Sequence, residues 1–185
     1  MKNKKLVIGM IALVVLLGGS MVLYNQLSKD HMPQEQSNQQ QEGQEETIYA
    51  PNFTVYNDQG EKVSLFDLKG KPIILNFWAS WCGNCEIEMP YFQAMYEKYG
   101  DDIHFVMVDM VDGQRETQEL GREFIKKGGY TFPIYYDLDL DVAMNYGVYA
   151  LPTTFFLNAD LSLVQGYTGA LSEDVLKANI ERLQK

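Results

Sequence analysis

The chain has 185 residues, 46% of them hydrophobic and 22% charged, which is enough for one well-buried domain and a tail but too little for two large domains. Its formal net charge of −10 gives it a surface that repels the phosphates of nucleic acids, so we expect no polynucleotide binding. The two cysteines limit the chain to one disulfide or one dithiol.

The first residues combine a basic start with an apolar run. Three lysines lie within the first five residues, and residues 6–24 follow without a charge. At 1.5 Å per residue such a run is about long enough to cross a hydrocarbon core. A cleavable signal peptide usually has a shorter apolar region, and here the run continues beyond the small residues 18–20. We therefore predict an uncleaved single-pass anchor over residues 1–24, with the lysines in the cytoplasm and the remainder of the chain on the extracytoplasmic side.

A polar segment follows the predicted anchor. Residues 25–47 are rich in Gln, Glu, Asn and Ser and contain few apolar side chains. Such a segment buries too little surface to offset the entropy of ordering, so we predict a flexible tether. The folded domain is then expected to span residues 48–185.

The elements of this domain can be predicted in chain order. Residues 53–56 and 62–65 flank a run of turn-forming residues at 57–60, which indicates an antiparallel hairpin. The later elements are a helical turn at 66–70, a strand at 73–78, a helix at 85–99, a strand at 103–109, a helix at 116–127, a strand at 133–136, a short helix at 139–146, strands at 153–157 and 161–165, and a helix opening at Ser172. This order predicts an α/β fold with a central mixed sheet and helices on both faces.

The helix at 85–99 carries its apolar residues at helical spacing. Ile87, Tyr91, Ala94 and Met95 are predicted to share its buried face.

Both cysteines lie where the strand at 73–78 feeds this helix. Cys82 and Cys85 are two residues apart, in the segment WCGNC at 81–85. A helix N-terminus favours a thiolate, which suits reversible redox chemistry. A structural disulfide and a zinc half-site stay open as alternatives, although so small a loop constrains the unfolded chain little and tetrahedral zinc needs four ligands.

Two motifs together resemble the thioredoxin superfamily. They are WCGNC after a buried strand, and residues 150–154 (ALPTT) just before a later strand. Within that superfamily, residues 50–53 (APNF), 75–82 (LNFWASWC) and 88–90 (EMP) are similar to the membrane-tethered TlpA/ResA branch. The resemblance implies a thioredoxin-like fold with an N-terminal β-hairpin extension.

The resemblance also implies roles for the cysteines. Cys82 would be the exposed nucleophile and Cys85 the cysteine that resolves the mixed disulfide, which agrees with their order along a helix N-terminus. The residues between them, Gly83 and Asn84, supply no cation or base. A histidine there would stabilise the thiolate and favour an oxidant, so its absence favours a reductase.

Pro152 would be the cis-proline of the superfamily, packed beside the dithiol. A cis bond there lets the Leu151 backbone face an extended substrate strand. Leu151 and Trp81 are expected to form the apolar rim of the substrate site.

The proton acceptor is expected on the helix. Cytosolic thioredoxins have a buried aspartate on the strand before the cysteines, but the matching residue here is Asn76, which cannot exchange a proton. Glu88, three residues after Cys85 and on the same helix face, matches the acid of the ResA-like branch. We expect partial burial to raise its pKa and Glu88 to accept the proton of Cys85.

These observations predict an extracytoplasmic thiol–disulfide oxidoreductase that reduces client proteins, with no cofactor and no metal. The resemblance implies a CcdA-like membrane electron donor, and apocytochrome c or a methionine sulfoxide reductase as candidate clients. We expect a monomer. A peroxiredoxin-like thiol peroxidase and a non-catalytic metal- or partner-binding module remain alternatives.

Overall fold

The computed structural model describes residues 47–184, which form a seven-stranded sheet flanked by helices. The strands are β1 (Thr54–Asn57), β2 (Lys62–Ser64), β3 (Ile73–Trp78), β4 (His104–Met110), β5 (Ile134–Asp137), β6 (Thr153–Leu157) and β7 (Leu163–Thr168). The helices are α1 (Gly83–Tyr99), α2 (Gln118–Gly128), α3 (Asp141–Asn145) and α4 (Glu173–Leu183), with a 3-10 helix at Leu65–Leu68.

The sheet is mixed, with β3 near its centre. Its order is β2-β1-β5-β4-β3-β6-β7. Strand β4 runs parallel to β3 and β5, whereas β6 is antiparallel to β3 and β7. At one edge β1 and β2 form the expected N-terminal hairpin, and β1 joins the sheet through β5. The predicted thioredoxin-like α/β fold is confirmed.

Side chains of β3 alternate between two apolar layers. Its six residues are all buried, because helices cover both faces of this strand. Ile74 and Trp78 belong to the layer beneath α1 and α4, and Leu75 and Phe77 to the layer beneath α3. By the same alternation Asn76 faces α1, the helix that follows the cysteines.

The buried face of α1 differs from the predicted one. Ile87 is 60% exposed and Ala94 is exposed, so neither belongs to the core. The residues that α1 buries are Cys85, Glu88, Met89, Phe92 and Met95. The prediction was wrong because it followed the hydrophobicity of Ile87, whereas the buried stripe is set by Cys85 and includes a carboxylic acid.

The predicted anchor (1–24) and all but the last residue of the predicted tether (25–47) lie outside the described residues, so the division of the chain into three parts stays a prediction. Within residues 47–184, none of the helices has the length and apolarity that a bilayer crossing requires.

Candidate active site

The dithiol lies at the N-terminus of α1, directly after the central strand. In the structure Cys82 and Cys85 form a disulfide, with Cα atoms 5.2 Å apart. Cys82 is the N-cap residue of α1, and its Sγ accepts a hydrogen bond from the Cys85 backbone N–H at 3.2 Å. The strand ends and the helix begins here because the backbone turns between them, where Cys82 N–H donates to the Ala79 carbonyl at 3.1 Å.

Cys82 is more accessible than Cys85, as predicted, but the difference is small. Cys85 is fully buried, whereas Cys82 retains 6% exposure, less than expected of an exposed nucleophile. Both belong to the apolar layer beneath α1, against which Leu151 also packs. The neighbouring Trp81, by contrast, is 45% exposed.

A shallow groove of about 200 Å³ lies beside the dithiol. Trp81 and Leu151, the two residues predicted to form the rim of a substrate site, both line it. Its other lining residues are Met110, Asp112, Leu140, Val148, Tyr149 and Ala150. The Leu151–Pro152 peptide is cis, as predicted, and lies immediately before β6.

Glu88 lies in the interior on the same face of α1 as Cys85. It is fully buried, and its two carboxylate oxygens accept hydrogen bonds from Asn76 Nδ2 and from the Leu171 backbone N–H, both at 2.8 Å. Burial raises the pKa of Glu88 from its ordinary 4.5 to about 7, against the opposing effect of these two hydrogen bonds. The burial from which a raised pKa was predicted is thus present, and it is complete rather than partial.

Asn76 connects Glu88 to the strand that follows the cis-proline. Its Nδ2 also donates to Thr154 Oγ1 at 2.9 Å. Its Oδ1 is buried and has no hydrogen-bond partner in the described part of the chain. The sequence identified Asn76 as unable to exchange a proton but did not indicate that it orients Glu88.

A second group of polar residues on the same side of the sheet was missed by the sequence analysis. Glu116 and Asp109 are both fully buried, and one Glu116 oxygen accepts hydrogen bonds from Ser80. In a sequence, an acidic residue just before a helix is ordinarily interpreted as a helix cap. Glu116 and Ser80 are 36 residues apart, so no local pattern indicates their contact.

None of the described residues, 47–184, forms a cluster of three or more His, Cys, Asp or Glu side chains able to hold a metal ion. His104, the one histidine in this range, is partly exposed at the start of β4, and burial together with Lys71 lowers its pKa.

Comparison with known proteins identifies this arrangement. Residues 49–165 match the model of the AhpC/TSA family. The chain belongs to this family. It is 32% identical over 185 residues to a thiol-disulfide oxidoreductase ResA from Bacillus thuringiensis, with 99% of each chain covered. The chain is thus a thiol–disulfide oxidoreductase of the ResA and StoA type.

Two solved structures support this assignment. StoA from Bacillus subtilis is 31% identical with a TM-score of 0.61, and the match covers 72% of this chain and 98% of StoA. A putative thiol:disulfide interchange protein DsbE from Chlorobium tepidum is 25% identical with a TM-score of 0.68, covering 75% of this chain and 97% of that protein. The thioredoxin-like fold and the oxidoreductase class are therefore confirmed.

Proposed function

We propose that the chain is an extracytoplasmic disulfide reductase in which Cys82 attacks client disulfides and Cys85 releases the product. The observation that supports it best is the fully buried Glu88, which lies on the Cys85 face of α1 and has a pKa of about 7. A group that titrates near neutrality can take up and return a proton during each turnover.

The reaction begins with the reduced dithiol. The Cys82 thiolate attacks one sulfur of the client disulfide, forming a mixed disulfide and releasing the other client sulfur as a thiolate, which takes a proton from water. The Cys85 thiolate then attacks Cys82 Sγ, closing the Cys82–Cys85 disulfide and releasing the second client sulfur as a thiolate, which also takes a proton from water. Two electrons pass from the dithiol to the client, and the protein is left in the oxidised form seen in the structure.

Glu88 acts as the base in the second step, in which Cys85 attacks Cys82. Cys85 is fully buried, and burial in apolar surroundings disfavours a thiolate, so the thiol needs a base inside the protein. The Glu88 carboxylate accepts the Cys85 proton as Cys85 attacks, and returns it when the dithiol is regenerated.

The groove beside Cys82 would bind the client. Trp81 and Leu151 line this groove and offer apolar surface to a client segment. The backbone that precedes the cis peptide of Pro152 would pair with an extended client segment, which is a common way for a domain to bind a peptide without reading many side chains.

The cellular setting is proposed from the sequence. The basic start and the uncharged run at 6–24 support a membrane anchor with the domain outside. Outside the cytoplasm the glutathione pool cannot restore the dithiol, so a CcdA-like membrane protein would supply two electrons per turnover. Apocytochrome c and methionine sulfoxide reductase are the proposed clients, and the protein would act as a monomer.

The test is to trap the mixed disulfide. A Cys85→Ser form expressed in its native membrane cannot release the client, so a covalent client adduct on Cys82 should accumulate and be identifiable by mass spectrometry. The matched control carries Cys82→Ser as well and should hold no adduct. If the single variant accumulates no protein adduct, disulfide reduction is not its function.

Two further assays address the alternatives. A thiol peroxidase would consume peroxide directly with the dithiol as reductant, and the reductase should not. A metal-binding module would take up stoichiometric zinc or copper at sub-micromolar affinity and lose it in the double cysteine variant, whereas the reductase should show no such binding.

A further inference from the structure

The loop at residues 111–117, between β4 and α2, contacts the two residues that precede Cys82. Glu116 Oε2 accepts hydrogen bonds from the Ser80 backbone N–H at 2.6 Å and from Ser80 Oγ at 2.7 Å. The neighbouring Arg115 places its guanidinium 3.8 Å from the centre of the Trp81 ring, within the range of a cation–π contact. Two consecutive loop residues thus contact two consecutive residues of the Cys82 turn.

The loop itself is ordered by one carboxylate. Asp112 Oδ1 accepts hydrogen bonds from the backbone N–H groups of Gln114, Arg115 and Glu116, at 2.8, 2.7 and 2.9 Å. These three bonds fix the backbone from which Arg115 and Glu116 project. The position of Glu116 is therefore set independently of Ser80.

Beneath this contact lies a second buried acid. Asp109, near the end of β4, is fully buried, and neither of its oxygens has a hydrogen-bond partner in residues 47–184. Its Oδ2 fills the space where a side chain on Gly121 of α2 would begin, and Glu116 Oε1 lies 3.7 Å from the same point. Burial and the Glu116 carboxylate raise the pKa of Asp109 to about 9, so Asp109 keeps its proton at neutral pH. Ser80 donates two hydrogen bonds to Glu116, whereas neither oxygen of Asp109 accepts one in the described residues, so a negative charge is better stabilised on Glu116 than on Asp109.

We infer that Glu116 is a positioning residue for the Cys82 turn and that it holds a buried negative charge beside the dithiol. This inference rests on the proposed function and adds a second carboxylate to it, on the side of Cys82 rather than of Cys85. The charge raises the free energy of the Cys82 thiolate relative to the thiol, because like charges in a poorly solvated region repel. It thereby favours the oxidised product and makes the dithiol a stronger reductant.

Other charged groups lie around the turn. Arg115 lies over Trp81, Asp112 lines the groove with Trp81, and Glu88 lies on the Cys85 side of α1. A test of Glu116 must leave these three in place, so the variants below change only the loop acid, its buried neighbour or its donor.

The test measures how fast Cys82 is alkylated by iodoacetamide as a function of pH. Each variant is made in a Cys85→Ser background, so that Cys82 is the one thiol of the chain. Glu116→Gln keeps an oxygen that can accept from Ser80 but removes the charge, and the midpoint of the rate profile should fall by about half a pH unit to one unit. A purely structural Glu116 would leave this midpoint unchanged and alter only the unfolding temperature, so an unchanged midpoint overturns the inference.

Two variants serve as matched controls. Asp109 is protonated at neutral pH and ionises only near pH 9, so Asp109→Asn should lower the midpoint by clearly less than Glu116→Gln does. A fall as large as that of Glu116→Gln would place the charge on Asp109 and refute the assignment. Ser80→Ala removes one donor but keeps the charge, so its midpoint should not fall below that of the parent. A fall in this variant would mean that distortion of the turn sets the midpoint, which also overturns the inference.

Failure of the proposed function would look different. Reduction of insulin disulfides by the two-cysteine protein reports on that function, whereas the alkylation profile reports on Glu116. A protein that does not reduce insulin or trap a client, yet shows the shift in Glu116→Gln, would keep the inference and lose the function.

Discussion

Replacing Glu88 by glutamine should remove a large pH dependence from the stability of the oxidised protein. Glu88 is fully buried, and its pKa of about 7 in the folded chain compares with an ordinary value of 4.5. The difference of about 2.5 units corresponds to roughly 3 kcal/mol, at about 1.4 kcal/mol per unit.

Whether the free energy of unfolding rises or falls with pH depends on which state, folded or unfolded, binds more protons. Below pH 4.5 Glu88 is protonated in both the folded and the unfolded chain, and its full contribution to stability is present. Between pH 4.5 and 7 the unfolded chain loses this proton while the folded chain retains it, so the free energy of unfolding decreases as the pH rises. Above about pH 7 both states are ionised and the loss is complete. The Glu88→Gln variant has no such titration.

Urea unfolding of the two oxidised proteins between pH 4.5 and 8.5 measures this effect. The free energy of unfolding of the wild type minus that of the variant should fall by about 3 kcal/mol across the range. The variant has one acceptor oxygen in place of two, which shifts its stability by a constant amount at every pH. Asp109 and Asp137, whose pKa values burial also raises, contribute to both proteins and cancel in the difference. A difference that stays constant to within about 0.5 kcal/mol would refute the buried-acid assignment.

Three further outcomes are expected. Asn76→Leu removes a hydrogen bond that lowers the pKa of Glu88, so the Glu88 carboxyl should titrate above pH 7. Difference infrared spectroscopy against the Glu88→Gln form follows this titration, and a midpoint below pH 7 would contradict the prediction. Gly121→Ala should cost roughly 1–3 kcal/mol in urea unfolding because the added methyl meets a buried side-chain oxygen of Asp109. Gly83→Ala, with open space around it, should not destabilise the protein. Trp81→Ala should raise KM for a protein substrate because the Trp81 side chain lines the groove. It should change the unfolding temperature little, because that side chain is 45% exposed. An unchanged KM would exclude Trp81 from the client site.

The sequence predicted best those features that depend on local pattern. The strand at 73–78 is found with its predicted bounds, because a run of apolar residues between a proline and a small-residue turn has few other structures available. The helix that follows begins two residues earlier than predicted, at Gly83, because Cys82 itself is the N-cap. The cis peptide before Pro152 and the raised pKa of Glu88 were both predicted, through the resemblance that the motifs carry.

The features that the sequence did not predict depend on contacts between distant segments. Ile87 is apolar yet exposed, since α1 is rotated so that its own Cys85 and Glu88 side chains face the interior. The contact between Glu116 and Ser80 requires the loop after β4 to fold back over the Cys82 turn, and the parallel register of β3 and β4 brings the two segments to the same sheet edge. No periodicity in either segment encodes that pairing.

The Asn76 amide can form a hydrogen bond with Glu88 in either protonation state of that carboxyl. Its Nδ2 faces the Glu88 carboxylate, and its Oδ1 is without a partner in the described residues. A half-turn of the amide about its last torsion exchanges these two atoms, so that the same side chain presents a donor to an ionised Glu88 or an acceptor to a protonated one. An aspartate at this strand position would accept in both orientations and would add a charge of its own. With an asparagine there, the core can hold Glu88 in either protonation state while the backbone of β3 stays where it is.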